Sequence, residues 1–327
     1  MTTKIAFVSC AYATYRKEQP AWQQILDKAP DLLLLLGDTA YMGWGDTWDD
    51  KNKKWIPEKW DVAALNTCYE EQSKIKSYRE LIAKVPTLAI WDDHDCGVNN
   101  VRGAEVPELT KQSRAQFEYW MGFALNAGRP EMYAVYDKLP DVRILMLDGR
   151  SERTSPAAAN PTMLGSTQEK WLWEQLDPAN SVQRPITILA NGVGFSEGGD
   201  YDKVEAYTHF SEKLLKELSF RANPSGVSGD YGRRALFLAG DIHRNAFKSF
   251  ENERIYEAYS SGVACFIPKT YEIKQFTPDR YTDNWGLITI DTDNVTIDFH
   301  GQPASPGEKD KNNFSRVIRR ADWQVVP

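Results

Sequence analysis

Long apolar runs are missing from this chain. Stretches such as Leu32 to Leu36 stop at five residues, far short of the roughly 20 that cross a bilayer as a helix, so no membrane span is expected. Cysteine is sparse and scattered. Cys10, Cys68, Cys96 and Cys265 show no CxxC spacing, which argues against a disulfide framework and against a zinc ribbon. Only four histidines occur, His94, His209, His243 and His300, and the second and fourth stand in no motif and read as surface residues. An excess of basic residues is missing too. The net charge of -7 argues against a general nucleic-acid binder, because phosphate backbones attract basic surfaces. It leaves a phosphate ligand open, since bound cations invert the local charge. No signal-peptide pattern and no twin-arginine pair follows Met1. The expected compartment is the cytoplasm, or the periplasm or exterior if an export segment has been removed. No internal repeat and no clean linker is visible in the 327 residues. One domain spanning 1–327 is expected, with a mobile polar segment at 301–313; the oligomeric state is not legible.

What is present is a series of short apolar runs set between helical patterns. Ile5–Ser9, Leu32–Leu36, Thr87–Trp91, Ile186–Ala190 and Ala235–Ala239 read as buried strands. Met132–Lys138 and Val142–Asp148 read as a hairpin around Leu139-Pro140-Asp141. Ile255–Tyr259, Leu287–Ile290 and Val295–Phe299 add strands near the end. Helical spacing covers Gln19–Lys28, Trp60–Lys84, Leu109–Trp120, Trp171–Leu176 and Ser211–Ser219. Tyr41–Trp60 reads as a loop carrying Trp44, Trp48, Trp55 and Trp60. The fold class is therefore α/β.

Three of the strands run straight into clusters of carboxylate and imidazole. Leu32–Leu36 leads to Gly37-Asp38-Thr39-Ala40-Tyr41, Thr87–Ile90 to Trp91-Asp92-Asp93-His94-Asp95, and Ala235–Ala239 to Gly240-Asp241-Ile242-His243. An open α/β sheet presents its ligands at such strand ends. One carboxylate alone does not hold a multivalent cation in water, whereas clusters of this kind do. Asp38 follows a glycine, which frees its carboxylate to bridge two cations, and Tyr41 lies three residues on. Three acids beside His94 would be a costly cluster without a cation. Asp241 and His243, two apart, can face one side. Cys10 and Asn191 end their strands in the same way and join the candidate ligands. Cys68, Cys96 and Cys265 read as packing residues. Asn99 and Asn100 read as turn formers.

This ordered set resembles the PhoD-like alkaline phosphatases of the calcineurin-like metallophosphoesterase superfamily. Gly37-Asp38 with Tyr41 matches their GDxxY, Trp91–Asp95 their WDDHD, and Gly240–His243 a GDxH. Met163-Leu164-Gly165 with Gln168 and Trp171-Leu172 matches MLG..Q..WL, and Leu147-Asp148-Gly149-Arg150 matches LDxR. The superfamily's first DxH is replaced by Ser9-Cys10-Ala11-Tyr12, and its lone fourth-motif His is absent, with Asn191 nearest.

The resemblance implies a four-layer αββα sandwich with two mixed β-sheets. It implies a small phosphate ester as substrate and a phosphatase that hydrolyses it at two cations about 3.5 to 4 Å apart, which acidify a water for in-line attack. The implied metal set is Cys10, Asp38, Tyr41, Asp93, Asn191, Asp241 and His243. His94 is expected to protonate the leaving oxygen with Asp93 beside it, and Arg150 and Arg153 to hold the phosphate. The donor set, rich in oxygen, points to Fe³⁺ with Ca²⁺ or Mn²⁺ rather than to two Zn²⁺. Two other readings remain: a phosphodiesterase acting on nucleotide, phospholipid or teichoic-acid-like diesters, and a metal-stabilised binding protein on a degenerate phosphatase fold.

Overall fold

The computed structural model of the chain describes residues 2–42, 59–177, 186–198, 202–222, 234–250, 254–270, 273–301 and 313–326, together with the backbone of 47–49 and 54–56. Two mixed sheets dominate it. The first has seven strands in the order β17(Gln324–Val326), β16(Phe314–Arg319), β15(Asn294–His300), β14(Trp285–Ile290), β1(Thr3–Val8), β2(Leu32–Leu36) and β5(Thr87–Ile90). The second has six, in the order β10(Asn245–Phe250), β11(Ile255–Ser260), β9(Arg234–Ala239), β8(Ile186–Asn191), β7(Val142–Met146) and β6(Ala134–Tyr136). β1, β2 and β5 run parallel in one sheet, and β7, β8, β9 and β11 in the other.

Alternation along the second sheet shows how the layers are built. Ile144, Met146, Ile188, Ala190, Leu236 and Leu238 join the core cluster that also holds the residues of the first sheet. Their neighbours Leu145, Leu147, Leu189 and Phe237 join a separate cluster with Leu172, Leu176, Leu214 and Leu218. Those last four lie on α6(Gly165–Leu176) and α7(Thr208–Ala222). Successive side chains of a strand point to opposite faces, so one face of this sheet meets the other sheet and the other face meets helices. With α1(Ala21–Asp27), α2(Val62–Lys74), α3(Lys76–Lys84), the short α4(Asp93–Cys96) and α5(Pro107–Trp120) contributing to the core cluster of the first sheet, this is the expected αββα sandwich. All five leucines of β2 are buried, as in a parallel strand covered on both faces.

The long helix expected over Trp60–Lys84 is two helices. Asp61 caps α2 by accepting from the Ala63 and Ala64 N–H groups. Ile75 is extended (φ -66°, ψ 113°) and separates α2 from α3. Neither Gly nor Pro marks this break. Packing makes it: Gln72, in the last turn of α2, is buried in a reciprocal amide pair with Gln19, while Tyr78 of α3 sets its ring against Trp22. Tertiary contacts override local propensity here. The hairpin expected around Leu139-Pro140-Asp141 is present as β6–β7. β10, β16, β17 and the pair β12(Cys265–Thr270) and β13(Ile273–Thr282) are strands beyond those expected from the apolar runs. So is the short pair β3(Thr47–Asp49) and β4(Lys54–Ile56) inside the expected loop. Residues 302–312 of the segment expected to be mobile, and the side chains of Trp44, Trp48 and Trp55, lie outside the described residues. Among the described residues no helix is long and apolar enough to cross a membrane.

Candidate metal centre

The carboxyl ends of the parallel strands from both sheets meet at one place. Cys10 follows β1, Asp38 follows β2, Asp92 and Asp93 follow β5, Asn191 ends β8, and Asp241 and His243 follow β9. The junctions are conformationally unusual. Cys10, Asp38, Asp241 and His243 all adopt left-handed backbone (φ 64°, 55°, 69° and 50°). Such backbone costs of order 1 kcal/mol or more per residue and persists where the surrounding structure imposes it, typically at functional sites.

Asp95 fixes the turns. One of its carboxylate oxygens accepts from the Asp38 and Asp92 N–H groups, and the other from the Thr39 N–H and the Tyr69 hydroxyl. The third acid of the Asp92–Asp95 run is therefore consumed in joining the two loops. The remaining acids converge. Ligand atoms of Asp38, Asp92, Asp93 and Asp241 lie within 4.8 Å of one another, and so do those of Asp38, Asp93 and His94.

Asp38 is the hub. It accepts from the Tyr41 hydroxyl (2.8 Å), the Cys10 thiol (3.4 Å) and the His94 N–H (3.2 Å). Tyr41 also meets His243 Nε2 at 3.2 Å, and its ring lies 4.1 Å from that of His94. Asp93 accepts from its neighbour's His94 N–H and from the Asn100 N–H. Asn100 is itself in a left-handed turn (φ 58°) and contributes a backbone donor.

Burial and mutual repulsion hold the Asp38 and Asp241 carboxyls well above the usual range. Burial pushes Asp92 up to about 7 against the pull of Arg150. Asp93 goes the other way: burial raises it, but Arg150, His94 and the Asn100 N–H together hold it below the ordinary value. Burial lowers His94 to about 4, so its imidazole is neutral at pH 7.

The donor set fits multivalent cations. Asp92 Oδ2, His94 Nδ1 and Asn191 Oδ1 are buried polar atoms without a hydrogen-bond partner, which is costly unless something else coordinates them. All of the expected ligands lie in or beside this cluster. Two residues outside the expected metal set join it. Asp92 sits in the same motif and shares the carboxylate cluster. Cys265, taken for packing, is buried with Cys10 and Tyr41 and places Sγ 3.6 Å from His243 Nε2. Nothing in the local sequence of Cys265 signals this, because the proximity comes from the bridge between Ala11 and Ala264.

Arg150 and Arg153 do not present themselves to a substrate. Both are 0% exposed. Arg150 pairs with Asp92 and, with two nitrogens, with Asp202. Arg153 pairs with Asp202 and the Tyr207 hydroxyl. Their charges are spent inside the protein, and Asp202, unmarked in the sequence reading, holds both.

The sequence profile of the PhoD-like phosphatases matches residues 5–281. The chain belongs to the PhoD-like phosphatase family. Members of that family are phosphoric ester hydrolases. A solved structure described as PhoD superposes with a TM-score of 0.69 at 16% identity, over 99% of this chain and 71% of that one, and so shares the fold. A protein of Thermus thermophilus (TM-score 0.40, 11% identity, 79% of this chain and 89% of its own) is too distant to carry an argument. Among curated proteins none matches. Within the PhoD-like frame, the LDxR and MLG..Q motifs are one device. Gln168 clamps the backbone of Asp148 from both sides at 2.8 Å. The Asp148 carboxylate in turn accepts from the Arg150 and Ser151 N–H groups and from Trp91 Nε1. These motifs hold Arg150 and the Asp92 loop in place.

Proposed function

We propose that this PhoD-like phosphatase hydrolyses small phosphate esters at a centre of two or more cations held by Asp38, Asp92, Asp93, His94, Asp241, His243, Asn191, Tyr41 and Cys10. The observation that carries the reading is the buried cluster of four carboxylates with its unpartnered Asp92 Oδ2, His94 Nδ1 and Asn191 Oδ1. Cations bound there would supply Lewis acidity, to neutralise charge on the phosphoryl oxygens and to acidify the attacking water.

The chain's own residues do the rest. Asp38, which with Asp93 belongs to both groups of ligand atoms and also accepts from Tyr41 and Cys10, would be the central carboxylate holding the cations. Tyr41 and Cys10 would offer a phenolic oxygen and a sulfur, a pairing that suits Fe³⁺, and the Asp92, Asp93 and Asp241 carboxylates would offer oxygens that suit Ca²⁺ or Mn²⁺. Asp95 takes no part in chemistry and keeps the two loops in register. For His94, the ring nitrogen that shares a cluster with Asp38 and Asp93 favours a ligand role over that of the proton donor expected from sequence.

Turnover of p-nitrophenyl phosphate against bis-p-nitrophenyl phosphate by metal-loaded protein tests the function. Preference for the first supports a monoesterase and preference for the second a phosphodiesterase. Metal binding without turnover of either would leave a metal-stabilised binding protein. An iron centre with Tyr41 or Cys10 bound gives a visible charge-transfer band; a colourless, active, iron-free protein would refute that assignment.

A further inference from the structure

Clustered carboxylates that ionise need a counter-charge, and one residue beside this cluster supplies it. Among the described residues, no lysine or arginine other than Arg150 pairs with Asp38, Asp92, Asp93 or Asp241. Its side chain is immobilised at every edge. Nε donates to Asp92 Oδ1, Nη1 and Nη2 grip the two oxygens of Asp202 at 2.8 and 3.1 Å, and Nη2 stands 3.8 Å from Asp93 Oδ1. Its backbone is held as well, because the Arg150 carbonyl accepts from the Gly103 N–H and its own N–H donates to Asp148. A planar guanidinium used in this way is a fixed charge, unlike a lysine that can swing away. It covers one oxygen of Asp92 and leaves the other, Oδ2, buried and unpartnered.

We propose that Arg150 is a resident cation of the metal centre. It is a positioning residue that assembles the carboxylates in the metal-free protein and, by its own charge, limits how tightly and how many cations they take. The inference rests on the metallohydrolase reading above. When the acids are ionised, Arg150, Arg153 and Asp202 together offset a single charge of the four. Three negative charges are then left for the metals. Screening by salt is weak at groups buried this deeply, so the guanidinium repels any incoming cation across a few ångströms.

A charge that only scaffolds Asp92 and a charge that opposes the metal make opposite demands. Arg150→Gln keeps hydrogen-bond donors and removes the charge; Arg150→Lys keeps the charge and loses the fork. Titrating Mn²⁺ into metal-free protein by calorimetry, with melting temperatures of both forms, separates them. In Arg150→Gln the metal-free protein should melt lower, while the Mn²⁺ dissociation constant should tighten by at least about tenfold, a lower bound because one unit charge about 4 Å from a divalent cation exceeds that even in bulk water. Arg150→Lys should bind Mn²⁺ as the wild type does. Unchanged or weaker binding in Arg150→Gln would overturn the inference. If Arg150→Gln does not fold, Asp202→Asn decides. Losing that carboxylate turns the full charge of Arg150 on Asp92 and Asp93, so Mn²⁺ should bind several-fold more weakly, and equal or tighter binding would overturn the inference. A wild-type protein that takes up no Mn²⁺, Ca²⁺ or iron would sink the metallohydrolase reading itself, which is a different result from variants that bind alike.

Discussion

Gly37→Ala should dismantle the metal centre, although glycine contributes no ligand. Gly37 adopts φ 85° between β2 and Asp38. A Cβ built there would stand 2.4 Å from Asp92 Cβ and 2.7 Å from the Asp92 backbone nitrogen. Two separate penalties apply. Left-handed backbone costs an L-residue roughly 1–2 kcal/mol. Forcing extra volume into packed structure typically costs a further 1–3 kcal/mol or so. The total is about 2–5 kcal/mol, and at roughly 2–4 °C per kcal/mol for large domains the melting temperature should fall by on the order of 5–15 °C. The functional effect should be larger than the loss of stability. Restoring an ordinary contact distance moves Asp92 by about 1 Å, whereas metal–ligand distances tolerate only about ±0.2 Å. Gly128 is the control: it has φ 71° with nothing within 4 Å of its added Cβ, so Gly128→Ala should incur the backbone penalty alone and keep full metal binding. The assay is differential scanning calorimetry of metal-free protein, followed by a Mn²⁺ titration. Wild-type metal affinity in Gly37→Ala, or an equal loss in Gly128→Ala, would show that contact with Asp92 is not what this glycine provides.

His94→Asn separates ligand from acid. As a ligand, its loss should lower metal content and slow activated and poor leaving groups alike; retention of metal with a loss of about 10² to 10⁴-fold confined to poor leaving groups would instead restore the general-acid role. Asp38→Asn should lose most bound metal and nearly all turnover, and full metal content by elemental analysis would remove Asp38 from the bridging position. Glu257 gives a pH effect away from the ligands. It is wholly buried beneath the Phe195 and Ser196 N–H groups, and burial raises its carboxyl above the usual 4.5. The folded state then holds this proton more tightly than the unfolded state. The resulting stability is present below about pH 4.5 and is lost as pH rises through the folded value. Glu257→Gln should remove that component from the melting temperature measured against pH, and an unchanged slope would mean that Glu257 titrates normally.

The legible part of this protein is its strand ends. Leu32–Leu36 before Gly37-Asp38, and Thr87–Ile90 before Trp91–Asp95, announce themselves because acids packed against the end of a buried apolar run repel one another unless a cation joins them. What the sequence hides is how the acids divide their labour. Asp92, Asp93 and Asp95 look equivalent in a row. Only the fold shows that Asp95 spends both oxygens on backbone and Tyr69, that Asp92 gives one oxygen to Arg150, and that Asp93 accepts from the His94 and Asn100 N–H groups. The same holds for charge. Arg150 and Arg153 stand in a motif beside the site and look like phosphate binders. Their partner Asp202 lies 52 residues from Arg150 in a stretch with no pattern of its own, and that one carboxylate turns both arginines inward. Cys265 was unreadable for a related reason: its place beside His243 depends on a parallel bridge between segments some 250 residues apart. Local sequence specifies which chemistry is available at a strand end. Long-range pairing specifies which of those groups remains open to a cation, and here that selection leaves Asp92 Oδ2, His94 Nδ1 and Asn191 Oδ1 facing the same unfilled demand.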